Sequence, residues 1–274
     1  MKSILTLVAA AALLPAAIGA IADDKAEFPL REKYPQLPTI TTEALLALDD
    51  AVIVDVRNSV EYDVIHADGA LNELVGDMEK DFLDDIRAEH PDSPIVFYCN
   101  GVTCSKSYKA GEKARVWGFD NYFVYDSGIF AWAQASAERT RFFGEVYERE
   151  ALDEKLISKD ALKAKSIAPA EFIELMRSGD YRIYDVRDKK ERQEQPIKVG
   201  KMAKVSLDEF VTFLEKGAVP SENVLIFDNV GKQVRWLQYY LEREGIEGYT
   251  FLDGGVGRWV EDGYDASGNL AKAD

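Results

Sequence analysis

Residues 52–57 read Val-Ile-Val-Asp-Val-Arg, and residues 182–187 read Arg-Ile-Tyr-Asp-Val-Arg. Each is a short β-rich run closed by the same Asp-Val-Arg, the pattern of a buried strand that ends at a loop. Working outward, the two copies stay in step. Asp55 precedes Cys99 by 44 positions and Asp185 precedes Asp228 by 43, with Phe97 and Phe227 in the strand-like runs just before. Gly118-Phe119 faces Gly245-Ile246, and Asp126-Ser-Gly128-Ile-Phe-Ala-Trp132 faces Asp253-Gly-Gly255-Val-Gly-Arg-Trp259. Four ordered matches at near-constant spacing make the chain two copies of one unit. In the first copy, Ile95–Tyr98 and Tyr122–Tyr125 read as further strands, and Ser105–Trp117 as a helix stopped by Gly118. Thr41 or Thr42 caps a short helix through Leu48. Strands alternating with helices predict an α/β fold: two tandem domains, each a mostly parallel central sheet flanked by helices.

The 274 residues suit two domains, and 47% hydrophobic content supports sizeable cores. The formal net charge of -16 argues against nucleic acid and anionic lipid as partners. Lys2, the apolar run from Ile4 to Leu14, and Ala20-Ile-Ala22 before Asp23 have the form of an export signal cut after Ala22, with a retained anchor as the alternative. The expected location is secreted or periplasmic, with no stable membrane span. The expected organisation is a signal over 1–22, a polar leader over 23–37 and a cysteine-bearing domain over 38–136. A helical connecting segment follows over 137–165, then the second copy over 166–265 and a tail over 266–274.

The landmarks of the first copy are Asp55-Val-Arg-Asn-Ser-Val-Glu61-Tyr62, His66-Ala-Asp-Gly69-Ala70-Leu-Asn72, Val96-Phe-Tyr-Cys99-Asn-Gly and Ser127-Gly-Ile-Phe-Ala-Trp132. As an ordered set they resemble the rhodanese-like sulfurtransferase family in its tandem-domain form. The resemblance implies that Cys99 carries sulfane sulfur as a persulfide. The sulfur would come from a small donor anion such as thiosulfate and go to a thiol or other thiophilic acceptor. It also implies that Asp55 and Arg57 are mainly structural. The common form of the family's loop is Cys-x-x-Gly-x-Arg, whereas this chain has Cys99-Asn-Gly-Val-Thr-Cys104-Ser-Lys106. Cys104 stands where arginine is usual. The loop resembles the sub-group with Cys-Asn-Gly-x-x-Cys, which points away from thiosulfate specificity. Phosphatase chemistry is disfavoured for the same reason, because phosphate calls for a bidentate arginine.

Read from its chemistry, a loop between a buried strand and a helix aims successive backbone N–H groups inward, and such a nest holds anions and lowers a thiol pKa. Asn100, Gly101, Val102, Thr103, Ser105 and Lys106 form this anion-binding loop. Gly101 permits close approach or positive φ, and one of the hydroxyls of Thr103, Ser105 and Ser107 is available to cap the helix. Lys106 either assists an anionic donor or is simply solvated. Three roles fit Cys104: a resolving thiol, the partner of Cys99 in a resting disulfide, or a small apolar side chain at the helix start. Asp55 and Arg57 read as an ion pair holding loops, with substrate contact by Arg57 as the alternative. His66 reads as a hydrogen-bonded structural residue rather than a general base. Two cysteines and one histidine are too few ligands for zinc, so neither metal nor cofactor is expected.

In the second copy Asp228 and Gln233 stand at the cysteine and arginine positions, and a carboxylate cannot carry a persulfide. That copy is expected to be catalytically dead, with a structural role or a protein partner. Sulfur transfer through Cys99 is the leading function. A thiol–disulfide protein using Cys99 with Cys104 and a non-catalytic binding protein are the alternatives.

Overall fold

The computed structural model describes residues 28–270; the expected signal, the first part of the leader and the last four residues lie outside the described residues. The first unit runs α1 (Thr42–Leu46), β1 (Val52–Asp55), α2 (Ser59–Val64), β2 (Ile65–Ala67), β3 (Leu71–Asn72), α3 (Lys80–Glu89), β4 (Ile95–Tyr98), α4 (Lys106–Val116), β5 (Tyr122–Tyr125) and α5 (Gly128–Ala135). A connecting stretch carries β6 (Thr140–Phe142), α6 (Arg149–Lys155) and α7 (Lys159–Ala164). The second unit follows with β7 (Ser166–Ile167), α8 (Pro169–Ser178), β8 (Arg182–Asp185), α9 (Lys189–Glu194), β9 (Met202–Lys204), α10 (Leu207–Glu215), β10 (Val224–Phe227), α11 (Val234–Arg243), β11 (Tyr249–Leu252) and α12 (Gly255–Glu261).

Each unit has a parallel sheet with helices packed on it, the α/β architecture expected from the alternating pattern. The strand order is β3-β1-β4-β5 in the first sheet and β7-β11-β10-β8-β9 in the second. Read from opposite ends these are the same order, because Thr39 adds a parallel bridge beside β5 where β7 lies beside β11. The registers also coincide. Asp55 pairs with Tyr98 and Asp185 with Phe227, so Cys99 and Asp228 leave their sheets at the same point, beside an Asp-Val-Arg strand end. Crossover helices bury both faces of a parallel sheet, which is why β4 and β10 are buried at every position.

Two boundaries differ from expectation. The segment expected to be helical holds a strand as well, since β6 pairs antiparallel with β2 of the first unit. Its Thr-Arg-Phe is too short for a periodicity to separate it from the helical stretches around it. The leader is not merely polar. Arg31 pairs with Asp126 at 2.8 Å, Tyr34 stacks on Tyr108 with centroids 5.0 Å apart, and Leu37 is buried, so residues 28–37 pack on the first unit. Thr41 is the cap of α1. Among the described residues no helix is long and apolar enough to cross a membrane.

The two units share one apolar cluster, running from Ile40 and Val96 through Phe142 to Tyr240 and Phe251. Phe130 stacks on Trp236 at 5.8 Å, Phe142 meets Tyr239 edge-on at 5.7 Å, and Phe143 meets Tyr240 at 5.1 Å. The helix α11 therefore lies against the first unit with its aromatic face.

Inside each unit an ion pair fixes the strand end. Arg57 places Nη2 2.6 Å and Nε 2.8 Å from the Asp55 carboxylate, and Arg187 repeats this on Asp185 at 2.7 and 2.8 Å. All four residues are fully buried. A glycine in each unit seats the loop that follows. A Cβ on Gly128 would lie 2.3 Å from the Gly101 nitrogen, and one on Gly255 would lie 2.6 Å from the Val230 nitrogen. The Gly-x-x-x-Trp segment thus has a packing cause: Trp132 and Trp259 anchor the helix, and the bare glycine admits the loop backbone.

These contacts set measurable costs. Arg57→Ala strands a buried carboxylate and is expected to lose about 3–5 kcal/mol in urea unfolding, with Arg187→Ala losing a similar amount. Gly128→Ala (φ +74°) combines left-handed strain with backbone overlap and is expected to lose more than about 3 kcal/mol, whereas Gly118→Ala (φ +80°, open space) is expected to lose about 1 kcal/mol.

Candidate active site

β4 ends at Tyr98, and the chain then makes the loop 99–105 before α4 begins at Lys106. The equivalent loop of the second unit spans 228–233 before Val234, so the cysteine loop is one residue longer. Inside it the Cys104 N–H donates to the Gly101 carbonyl at 2.8 Å, and Gly101 adopts φ +139°. The positive φ is open to glycine without strain.

Cys99 and Cys104 are both free thiols. Cys99 has no exposed surface; its Sγ donates to the Cys104 carbonyl at 3.3 Å and lies 3.4 Å from Ser107 Oγ. Burial, and then the neighbouring Cys104 group, push the Cys99 thiol well above its ordinary range. Cys104 is partly exposed. Hydrogen bonding from Cys99, and from the Lys106 and Asn100 backbone N–H groups, lowers its pKa to about 6 against the opposing effect of burial. Backbone N–H groups of the loop and of the start of α4 thus act on both thiols: those of Asn100 and Lys106 on Cys104, and that of Ser107 on Cys99.

Around the loop runs a closed polar network. Asn100 Oδ1 accepts from Arg57 Nη1 at 3.1 Å, and Asn100 Nδ2 donates to Glu61 Oε1 at 2.6 Å. Lys106 Nζ donates to Glu61 Oε2 at 2.6 Å. Although burial works against its charge, the neighbouring Lys106 and Arg57 hold Glu61 below the usual carboxylate range, so it is ionised at neutral pH. The Lys106 charge is therefore matched within the protein. Arg57 also donates to the Ile65 carbonyl at 2.6 Å and lies 5.3 Å from the ring centroid of Trp236 on α11. Burial opposes its charge, but the Asp55 carboxylate keeps it protonated.

The structure brings Asp55, Arg57, Asn100, Cys99, Cys104 and Lys106 together. It draws His66 into a different set of contacts: its ring stacks on Tyr62 at 3.8 Å and Nδ1 bonds the Tyr62 carbonyl at 2.8 Å. Ser105 precedes α4 but makes no side-chain cap bond, and its backbone is helical where a cap is usually extended. Thr103 is exposed and Val102 half-buried on the outside of the loop. Two residues visible in the sequence take on contacts that spacing did not assign: Glu61, whose Asn58-x-x-Glu61 capping box fixes its carboxylate at the start of α2, and Ser107, whose hydroxyl lies against Cys99. Trp236 lay outside the residues expected from sequence, because no spacing rule reaches from α11 to β1.

In the second unit the loop is filled from within. Asp228 accepts from the N–H groups of Gly231 at 2.5 Å, Gln233 at 2.6 Å and Val234 at 3.3 Å. Its carboxylate occupies the position that an anionic sulfur or substrate oxygen would take in an open nest. Burial raises its pKa while these donors oppose the rise.

Residues 41–135 match the family model of the rhodanese-like domain. Over 137 residues the chain is 31% identical to a tRNA uridine(34) hydroxylase of Enterobacter sp. (strain 638), covering 46% of this chain and 37% of that protein. It thus spans little more than a third of the curated relatives it matches first. Among solved structures it is similar to a thiosulfate sulfurtransferase from Pseudomonas aeruginosa, with 21% identity, 87% of this chain and 46% of that one covered, and a TM-score of 0.38. It is also similar to a polysulfide-sulfur transferase homodimer from Wolinella succinogenes, with 21% identity, 42% and 87% covered, and a TM-score of 0.33. With its ordered landmarks and its match over 41–135, the cysteine-bearing unit of this chain is a rhodanese-like domain.

Proposed function

We propose that the chain transfers sulfane sulfur from a small donor to a thiophilic acceptor through a persulfide held in the loop 99–106, where Cys99 and Cys104 are the two groups able to carry it. The observation that carries this reading is the pair of adjacent free thiols at a strand-to-helix turn, with backbone N–H groups beside both sulfurs. Such donors stabilise a thiolate for attack and an anionic persulfide afterwards. Charge bears on the donor. Glu61 holds the Lys106 ammonium and Asp55 holds the buried Arg57, so the loop offers a dianion no uncommitted cation among these groups. A persulfide donor, whose reacting S–S group carries at most one negative charge, suits it better than thiosulfate. Export through the amino-terminal apolar segment, to a secreted or periplasmic site, belongs to the same proposal, as does a protein partner for the second unit.

In an assay with glutathione persulfide as donor and cyanide as acceptor, the wild-type protein is expected to turn over and the Cys99→Ser/Cys104→Ser double variant to lose at least about a hundredfold. Lys232→Ala, on the exposed second loop, is expected to keep wild-type turnover. A double variant as active as wild type would sink the proposal. Thiosulfate is expected to be the poorer donor by kcat/KM.

A further inference from the structure

The second unit meets the surroundings of the cysteine loop with the start of α11, and it places there an arginine that holds no carboxylate. Two short runs of contacts lead from the loop to Arg235. In the first, the Cys99 carbonyl accepts from the Ile129 N–H at 3.0 Å, Phe130 is the next residue, and the Arg235 guanidinium lies 4.4 Å from the Phe130 ring centroid. In the second, Asn100 accepts from Arg57, Arg57 lies 5.3 Å from the Trp236 centroid, and Arg235 lies 5.9 Å from the same ring. Phe130 and Trp236 stack on each other, so the two runs meet.

Arg235 is half-buried. Its Nη2 donates to the Ile157 carbonyl at 3.4 Å, beside the Tyr239 hydroxyl. These contacts use only part of a fork of five donors. Among the described residues Arg235 forms no ion pair, whereas Arg57, Arg187 and Arg243, the last on the same helix, each hold a carboxylate. A guanidinium laid against aromatic faces keeps its charge and its in-plane N–H edge, and that edge matches a carboxylate in a bidentate pair. A chain of net charge -16 repels carboxylates from most of its surface, so binding one calls for a local cation. The cations inside the loop network are taken, Arg57 by Asp55 and Lys106 by Glu61. Arg235 is the cation next to that network without such a partner.

We propose that Arg235 is a specificity-determining residue which the second unit supplies to the site of the first: it binds the carboxylate of the acceptor thiol that removes sulfur from the loop. The inference rests on the sulfur-transfer reading above and names the class of its acceptor, a low-molecular-weight thiol with a carboxylate on a flexible arm. The acceptor thiolate attacks the outer sulfur of the loop persulfide. A bond forms between the acceptor sulfur and that sulfur, the loop S–S bond breaks, and its electron pair stays on the loop thiolate. The acceptor leaves as a persulfide, and no oxidant or reductant is consumed. Arg235 meets the loop through Phe130 and Trp236, so an extended acceptor reaches it while a compact anion seated at the thiols does not. The second unit thereby contributes to the site without a thiol of its own.

Two measurements on the whole chain test the assignment. In the first, the protein is loaded with sulfur from inorganic polysulfide, which has no carboxylate, and desalted. Its discharge by glutathione is compared with discharge by glutathione diethyl ester, which has the same reach and no carboxylate. Wild type is expected to reach half-saturation at a concentration of glutathione at least about tenfold lower than of the ester, with similar limiting rates. Arg235→Gln is expected to remove that preference and leave discharge by the ester unchanged, and Arg235→Lys to keep part of it. Lys232→Ala, which removes an exposed charge from the neighbouring loop, is expected to keep the full preference. In the second, binding of unreactive S-methylglutathione is followed by tryptophan fluorescence, and Arg235→Gln is expected to weaken it at least about tenfold. An unchanged preference in Arg235→Gln, or an equal loss with both acceptors, overturns the assignment while leaving sulfur transfer standing. If the wild-type protein passes sulfur to neither acceptor, the sulfur-transfer reading falls, and the S-methylglutathione titration alone decides whether Arg235 binds the carboxylate; equal affinity in wild type and Arg235→Gln overturns it.

Discussion

The buried Asp55–Arg57 pair is the constraint on which the cysteine loop depends. A guanidinium with no exposed surface persists only if every donor has a partner. Here the partners belong to four elements. The carboxylate is at the end of β1, the Ile65 carbonyl opens β2, Asn100 lies in the loop, and Trp236 covers the cation from α11. Satisfying one buried charge therefore locks the strand end, the following turn, the first loop residue and the adjoining unit in one geometry. Asn100 extends the network to Glu61, and Glu61 to Lys106, so the loop is held at both ends.

The second unit shows the same frame without the cysteines. It repeats the strand order, the register and the Asp–Arg pair, yet its loop closes on the Asp228 carboxylate, which receives three backbone N–H groups. The comparison separates frame from function within one chain. The ion pair is present where no thiol exists, so it serves the fold. The cysteines and the Glu61–Lys106 contact are features of the first unit. What the second unit gives the first is a wall: Trp236 on Phe130 and Arg57, and the Tyr240 hydroxyl, which donates to the Val60 carbonyl at 3.3 Å.

Much of this was legible in the sequence. The short apolar runs ending in Asp-Val-Arg, the repeated spacings and the Gly-x-x-x-Trp segments determine two parallel α/β sheets, because strand burial and tight glycine contacts leave residue-level marks. The loop between β4 and α4, its glycine and its two thiols were equally visible. β6 and the packing of Arg31 and Tyr34 were not. Their partners are Ile65–Ala67, Asp126 and Tyr108, remote in sequence, and a three-residue strand has no period of its own.

The sequence by itself thus determined the fold, the position of the candidate site and the absence of a thiol at Asp228 in the second copy, since each follows from local residue type and spacing. Only the tertiary structure decided how the charges and thiols divide their work. Lys106 is matched by Glu61, His66 is turned to Tyr62, Cys99 is buried against Ser107 and Cys104 is partly exposed. The physical reason is that reactivity depends on burial and on which hydrogen-bond donors face a sulfur, and the folded path of the backbone sets both.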